Sequence, residues 1–311
     1  MTATATNTPP ADSRFIVTCH GWSASNWLAH ALHCHPRISC AHSAAAILAE
    51  DPAIFDGVGL KTQLPRVRAG YLQRQSRAID ALYADLAHQH PAAHIGTVHT
   101  YRLRDLPVQA DRFPPRDGPY RVVNLLRHPL DLVVSGYGQF RDLFAIDLNE
   151  FSWTLAKIVD QGLEIVETIC DAHDLRPGSY DVLCFFGACV VLGSLRLDLD
   201  ALDQISDEDW HYLGAVRMEE ITTDPAALAR LIAQLTDQPG LADQAYLDQV
   251  FRKGRINVHN AHAARGTQQR WHDLAPWQQQ GFAAFLDHFA LRAPYTELGY
   301  DFSFLDIPDA R

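Results

Sequence analysis

The feature that most restricts the fold is a recurring unit, in which a short, almost wholly apolar run ends in a tight turn and passes straight into a helix. Residues 14–19 (RFIVTC) form one such run. The turn His20-Gly21-Trp22-Ser23-Ala24-Ser25 follows, and then Trp27, Leu28, Ala31 and Leu32 recur at helical spacing. Residues 121–126 (RVVNLL) form another, with Pro129 in the first turn of a helix that carries Leu130, Val133, Val134 and Tyr137 at i, i+3, i+4 and i+7. Residues 95–101 (IGTVHTY) and 211–217 also have strand character. Asp224 and Pro225 then read as N-cap and first residue of a helix whose buried stripe is Leu228, Leu231, Ile232 and Leu235. Near-continuous apolar strands alternating with helices imply a three-layer α/β/α fold with a mostly parallel central sheet. Ligands in such sheets sit beyond the carboxyl ends of the strands.

The remainder of the chain fits that frame. At 311 residues it suits a single α/β domain, placed at 14–311, with a helical insert at about 151–202 interrupted at Pro177 and Gly178. Residues 66–90 read as helical and 111–119 as a Pro-rich surface loop. Residues 1–13 lack a basic start and an apolar core, so they are expected to be a disordered leader rather than an export signal. The longest nearly uncharged apolar stretch, 182–195, is shorter than the roughly 18–20 residues of a membrane span and is expected to be a buried helix. Six cysteines without a CxxC pair suit reduced, mostly buried thiols, and the cytoplasm is the expected location. A net charge of −11 argues against nucleic acid and anionic membranes as partners, while leaving room for a small anion in a local basic pocket.

Three separated segments suggest where such an anion would bind, and a fourth mainly supports the fold. The first is Ser23-Ala24-Ser25-Asn26-Trp27-Leu28, at the strand-to-helix turn. There small residues let the backbone wrap an anion, and the helix N-terminus supplies amides and about half a positive charge. The second is Arg127-His128-Pro129-Leu130-Asp131, continuing to Ser135-Gly136-Tyr137, where a guanidinium at a strand end and a hydroxyl two turns into the helix suit a phosphate. The third is Phe251-Arg252-Lys253-Gly254, a basic spot in an acidic chain, and the fourth is Val216-Arg217-Met218-Glu219-Glu220-Ile221 before Asp224 and Pro225.

In their order these segments resemble the sulfotransferases that use 3′-phosphoadenosine 5′-phosphosulfate (PAPS), over roughly residues 15–304. The first stands where that family carries an SGTTWL-like loop, and the second resembles its RNPxDxxxSxY segment. The third is similar to its RKG, and the fourth to its strand ending in YEDL. The resemblance implies a nucleoside-kinase-like core with a phosphate-binding loop, PAPS as donor co-substrate, and no required metal. It places the 5′-phosphosulfate at Ser23, Ala24, Ser25, Asn26 and Trp27 and the 3′-phosphate at Arg127, Ser135, Arg252, Lys253 and Gly254. Trp27 is the expected adenine platform. His99, in Thr97-Val98-His99 where the family has KTH, is the expected general base, since an imidazole accepts a proton at neutral pH. The acceptor is expected to be a small or glycan-like molecule contacting residues 63–77 and the insert, and a homodimer is compatible with the family.

The chain departs from the family at three places. Trp22 occupies the slot where most relatives have Lys or Arg. A cation such as Lys61, Arg102 or Arg104 then reaches in, His20 donates instead, or the chain binds nucleotide with little turnover. Met218 replaces the Tyr that would touch adenine, and the GxW after the RKG is lost. Two rivals are weaker: a small-molecule kinase lacks its GxxxxGK[ST], and zinc at His30, His33, Cys34, His35, Cys40 and His42 lacks a completing CxxC or HExxH.

Overall fold

A computed structural model describes residues 13–42, 77–145, 147–252 and 266–306. The expectations for residues 1–12, Lys61, residues 63–76, Lys253 and Gly254 lie outside the described residues. In chain order the main elements are β1 (Ser13–Cys19), α1 (Ser25–His33), β2 (Ile38–His42), α2 (Ile79–Gln89), β3 (His94–Val98), α3 (Asp105–Arg112) and β4 (Tyr120–Leu126). There follow α4 (Pro129–Leu143), α5 (Leu148–Gln161), α6 (Leu163–Ala172), α7 (Tyr180–Cys189), α8 (Val191–Asp200), β5 (Trp210–Arg217) and α9 (Met218–Ile221). The last are α10 (Pro225–Thr236), α11 (Gln244–Arg252), α12 (Thr267–Asp273), α13 (Pro276–His288) and α14 (Arg292–Glu297).

The strands pair in the order β2-β3-β1-β4-β5, and every pairing is parallel. Alternation along β1 explains why its sequence is apolar throughout. Phe15, Val17 and Cys19 enter one core with Leu28 and Leu32 of α1 and Leu228, Leu231 and Leu235 of α10, whereas Ile16 enters the other with Leu82, Tyr83 and Leu86 of α2 and Leu106 of α3. Both faces of the sheet are thus covered, giving the expected three-layer α/β/α arrangement. Asp224 caps α10 as expected, its carboxylate accepting from the Ala226 amide at 2.9 Å.

The described residues fall into two compact units. Those of Met1–Leu126 and Ala201–His259 form one, which holds the sheet, and those of Arg127–Asp200 and Asn260–Arg311 form the other. The expected insert at about 151–202 falls almost wholly within the second unit, which also takes in the C-terminal helices. There the apolar face of α7 meets α13: Phe185 lies edge-on to Trp277 with ring centroids 5.1 Å apart, and Phe186 meets Phe285. The stretch 182–195 falls on α7 and α8, as the expected buried helix. Tyr180–Gln204 is long and apolar enough to cross a membrane by length and composition, with 67% of its most apolar window buried in the fold.

One glycine in the sheet is dictated by packing. Gly96 of β3 lies opposite Phe15 of β1, and a Cβ at Gly96 would come within 2.0 Å of the Phe15 ring. Gly96→Ala is expected to destabilise the protein by about 1–3 kcal/mol or more, read as a lower urea midpoint. An unchanged midpoint would show that the β1–β3 contact is looser than described.

Candidate active site at the carboxyl edge of the sheet

In an all-parallel sheet every strand ends on the same edge. Here the chain leaves β1 toward β2 on one side while β4 leads to β5 on the other, so the loops after β1 and β4 diverge. That is the crevice position for ligands in open α/β sheets. On this edge the last residue of β1, Cys19, the last residue of β2, His42, and the residue after β3, His99, meet. The Cys19 thiol is 3.1 Å from His99 Nδ1, and the His42 and His99 rings are stacked 7° from parallel with centroids 5.7 Å apart. His42 Nε2 is in turn 3.0 Å from the Ser25 hydroxyl in the first turn of α1.

The placement of His99 depends on its backbone. Val98 faces the α1 side of the sheet, so a continued strand would turn His99 to the other face. Instead His99 adopts φ 61, which carries its ring to Cys19 and His42, while its amide still donates to the Val17 carbonyl at 3.0 Å. A left-handed residue other than Gly costs on the order of 1–2 kcal/mol and persists only where its surroundings over-determine it. Thr100, next in sequence, is 1% exposed, and its Oγ1 is buried without a hydrogen-bond partner in the protein.

The β1–α1 loop is also contorted. Trp22 has φ 68 and Ala24 φ 53, the former an outlying conformation for a bulky side chain. Ala24 is the N-cap of α1 and offers no side-chain cap, so the first amides of the helix are not satisfied by a capping side chain. His20, Ser23 and Ser25 are buried in and beside this loop, and the Asn26 side-chain oxygen is buried without a partner. Arg102 and Arg104, both half-buried, lie between His99 and α3 on the same edge and are the described candidates for the charge absent at Trp22. Trp27 is only 8% exposed and sits in the core edge-on to Phe251, 5.9 Å between centroids, so its ring is largely committed to packing rather than open as an adenine platform. Arg252 is exposed at the end of α11, and Met218 opens α9 directly after β5.

The second sequence segment belongs to the helical unit. Arg127, half-buried, directly follows β4, and Ser135, also half-buried, lies two turns into α4. Its other polar residues hold that unit together. His128 Nδ1 accepts from the Leu130 amide at 3.1 Å and caps α4, so Nε2–H donates to the Asp301 carbonyl at 3.0 Å. Asp131 pairs with Arg270 of α12 at 2.7 Å, both side chains nearly buried, and accepts from the Thr267 hydroxyl at 2.9 Å. Tyr137 donates to Asp181 of α7, and burial, reinforced by that bond, pushes its hydroxyl pKa up.

Among the described residues no group of three or more His, Cys, Asp or Glu is placed to hold a metal. The crowd of such residues around α1 divides into separate local contacts. His30 faces Cys34 at 3.3 Å, His33 Nδ1 accepts from the Cys40 amide, and burial pushes the Cys40 thiol up so that it stays protonated. His35 Nδ1 accepts from the Arg37 amide and its Nε2–H donates to the Leu241 carbonyl. Cys19 did not stand out as a functional residue from sequence, and His42 entered only as a member of the weaker zinc set. The available signal for Cys19 was positional, since it ends an apolar run that becomes a strand. No protein-family model matches the chain, and no curated protein is detectably similar to it in sequence.

Two predictions follow from these contacts. Asp131→Ala leaves Arg270 buried and uncompensated and is expected to cost about 3–5 kcal/mol in chemical denaturation, much of it recovered in Asp131→Leu/Arg270→Met. Equal losses in the single and double variants would reject the pair. Burial, partly opposed by the Leu241 carbonyl, lowers the pKa of His35. The unfolded chain then binds more protons than the folded one, so this group's contribution is intact above the ordinary histidine value near 6.5 and is lost as pH falls below it. His35→Gln should flatten the acid limb of thermal stability, and an identical limb would remove His35 as its source.

Proposed function

We propose that the protein is a cytoplasmic sulfotransferase that moves a sulfuryl group from PAPS to a hydroxyl or amine of a small or glycan-like acceptor. The observation that carries this reading is the meeting of the β1–α1 loop and His99 on one edge of two neighbouring parallel strands. An anion-binding turn and an acid–base group are thereby held within one site by the sheet itself.

In this reading the phosphate-binding loop is residues 20–26. The uncapped α1 amides and the helix dipole hold the 5′-phosphosulfate, with the Ser23 and Ser25 hydroxyls beside them. The orphaned polar atoms fit such a ligand: Thr100 has a hydroxyl to donate, and a flip of the Asn26 amide would turn its NH2 toward an anion. The resemblance assigns the 3′-phosphate to Arg127 and Ser135 of the second segment and to Arg252, Lys253 and Gly254 of the third. Purine contact by Trp27 is limited to the margin that packing leaves. His99 accepts the proton of the attacking hydroxyl as the new O–S bond forms and the S–O bond to the phosphate breaks. His20 or an arginine, Arg102 or Arg104, meets the charge growing on the leaving phosphate.

A second reading, a nucleotide-binding relative with little turnover, is favoured by one observation. The position before Ser23 holds Trp22 in a left-handed conformation, where the family places a cation.

Thermal shift with adenosine 3′,5′-bisphosphate, AMP and ATP separates these readings. Selective stabilisation by the bisphosphate, about 2.7 kcal/mol at a hundredfold excess over Kd, is expected. Arg127→Ala should remove the preference over AMP, through loss of charge-assisted bonds worth about 1.5–3 kcal/mol each. His99→Ala should retain affinity while turnover falls about 10²- to 10⁴-fold. Selective ATP binding would favour a kinase, binding without turnover in the parent would favour the second reading, and no nucleotide binding would overturn both.

A further inference from the structure

An imidazole can act as a base only through the nitrogen that lacks a proton, and its other nitrogen's partner decides which one that is. At His99 that partner is Cys19, whose Sγ lies 3.1 Å from Nδ1. The plane of the ring is set by a second group, since His42 lies almost parallel to it, 7° away. His42 is itself held by Ser25 at 3.0 Å. The backbone of His99 is fixed by its bond to Val17 and by its left-handed turn, so the ring is constrained from three elements: β1, β2 and, through His42, α1.

We propose that Cys19 and His42 are the positioning residues of the His99 base, with Cys19 accepting Nδ1–H so that Nε2 carries the lone pair, and His42 holding the ring plane and tying it to Ser25 in the donor loop. This rests on the reading of His99 as the base. It goes further by assigning the reacting nitrogen and two residues that touch neither donor nor acceptor. The alternatives at the same 3.1 Å contact have different chemistry. A thiol donating to Nδ1 puts the ring proton on Nε2 and leaves nothing to accept the acceptor's proton. A thiolate–imidazolium pair protonates both nitrogens, and it places two charges where Cys19 is 1% exposed and poorly solvated.

The same arrangement links the two halves of the reaction. An anion that engages the Ser25 hydroxyl competes with its bond to His42, so occupancy of the donor loop reaches the plane of His99.

Nitrogen-15 NMR of selectively labelled histidine distinguishes the three states in the full-length protein with no nucleotide or acceptor present. The expected result is His99 neutral and protonated at Nδ1 in the parent. That bias should be lost in Cys19→Ala and restored in Cys19→Ser, whose hydroxyl also accepts. His42→Phe, which keeps a flat ring but loses the bond to Ser25, should preserve the His99 signal in the free protein yet abolish its shift on adding adenosine 3′,5′-bisphosphate. Once an acceptor is in hand, Cys19→Ala should lower kcat about 10- to 100-fold with little change in KM. Protonation at Nε2 or at both nitrogens in the parent overturns the proposal even if no variant folds, and so does a spectrum unchanged in Cys19→Ala. A parent with the expected tautomer that binds no bisphosphate leaves the assignment of Cys19 standing and removes the sulfotransferase reading and the link to the donor loop.

Discussion

The constraint on which the rest of the structure depends is that all pairings in the sheet are parallel and both its faces are buried. Parallel strands place all their carboxyl ends on one edge, so residues far apart in sequence meet there without any local signal. Cys19 and His99 are 80 positions apart and touch because β1 and β3 are neighbours in register. Burial of both faces also leaves the strands little freedom to slip, since a shift by one residue would exchange the two sets of core side chains. A site built on such an edge inherits the rigidity of the core beneath it.

That rigidity lets the edge hold strained residues. His99, Trp22 and Ala24 all take left-handed backbone conformations outside glycine, and all three lie on loops that follow β1 or β3. Each would relax if its anchors were loose. His99 is held by a backbone bond, a thiol and a stacked ring, while Ala24 is held by the helix it begins, its carbonyl accepting from the Leu28 amide at 3.0 Å. Three of the six such non-glycine residues described thus lie where an anion and a proton acceptor are proposed to work, and the well-packed layers below carry their cost.

The helical unit shows how a sequence segment divides its residues between tasks. In the run from Arg127 to Tyr137, His128 is consumed by capping and by the carbonyl of Asp301, Asp131 by Arg270 and Thr267, and Tyr137 by Asp181. Arg127 and Ser135 are the members of that run to which the proposed function gives a ligand role. A resemblance in spacing alone could not separate these roles, because a cap, a buried ion pair and a phosphate contact draw on the same residue types.

Periodicity and local chemistry were sufficient to place β1, β4, β5, α1, α4 and α10, but not β2, α3 or the C-terminal helices. The apolar runs at 14–19, 121–126 and 211–217 became β1, β4 and β5 within a residue or so. Pro129 and Pro225 open α4 and α10, and the stripe of Leu228, Leu231, Ile232 and Leu235 is buried. These are consequences of side-chain alternation and of caps that act within one turn, so the chain carries them locally. Position at a strand end marked His99 and the β1–α1 turn as well. Only the tertiary structure decided that His99 turns back to the face it would otherwise avoid, that Cys19 and His42 meet it there, and that Trp27 packs inward. The same holds for the partition that starts the second compact unit at Arg127. Each of these depends on register, on a single backbone dihedral or on pairing across long separations, and none of those leaves a periodic trace in the sequence.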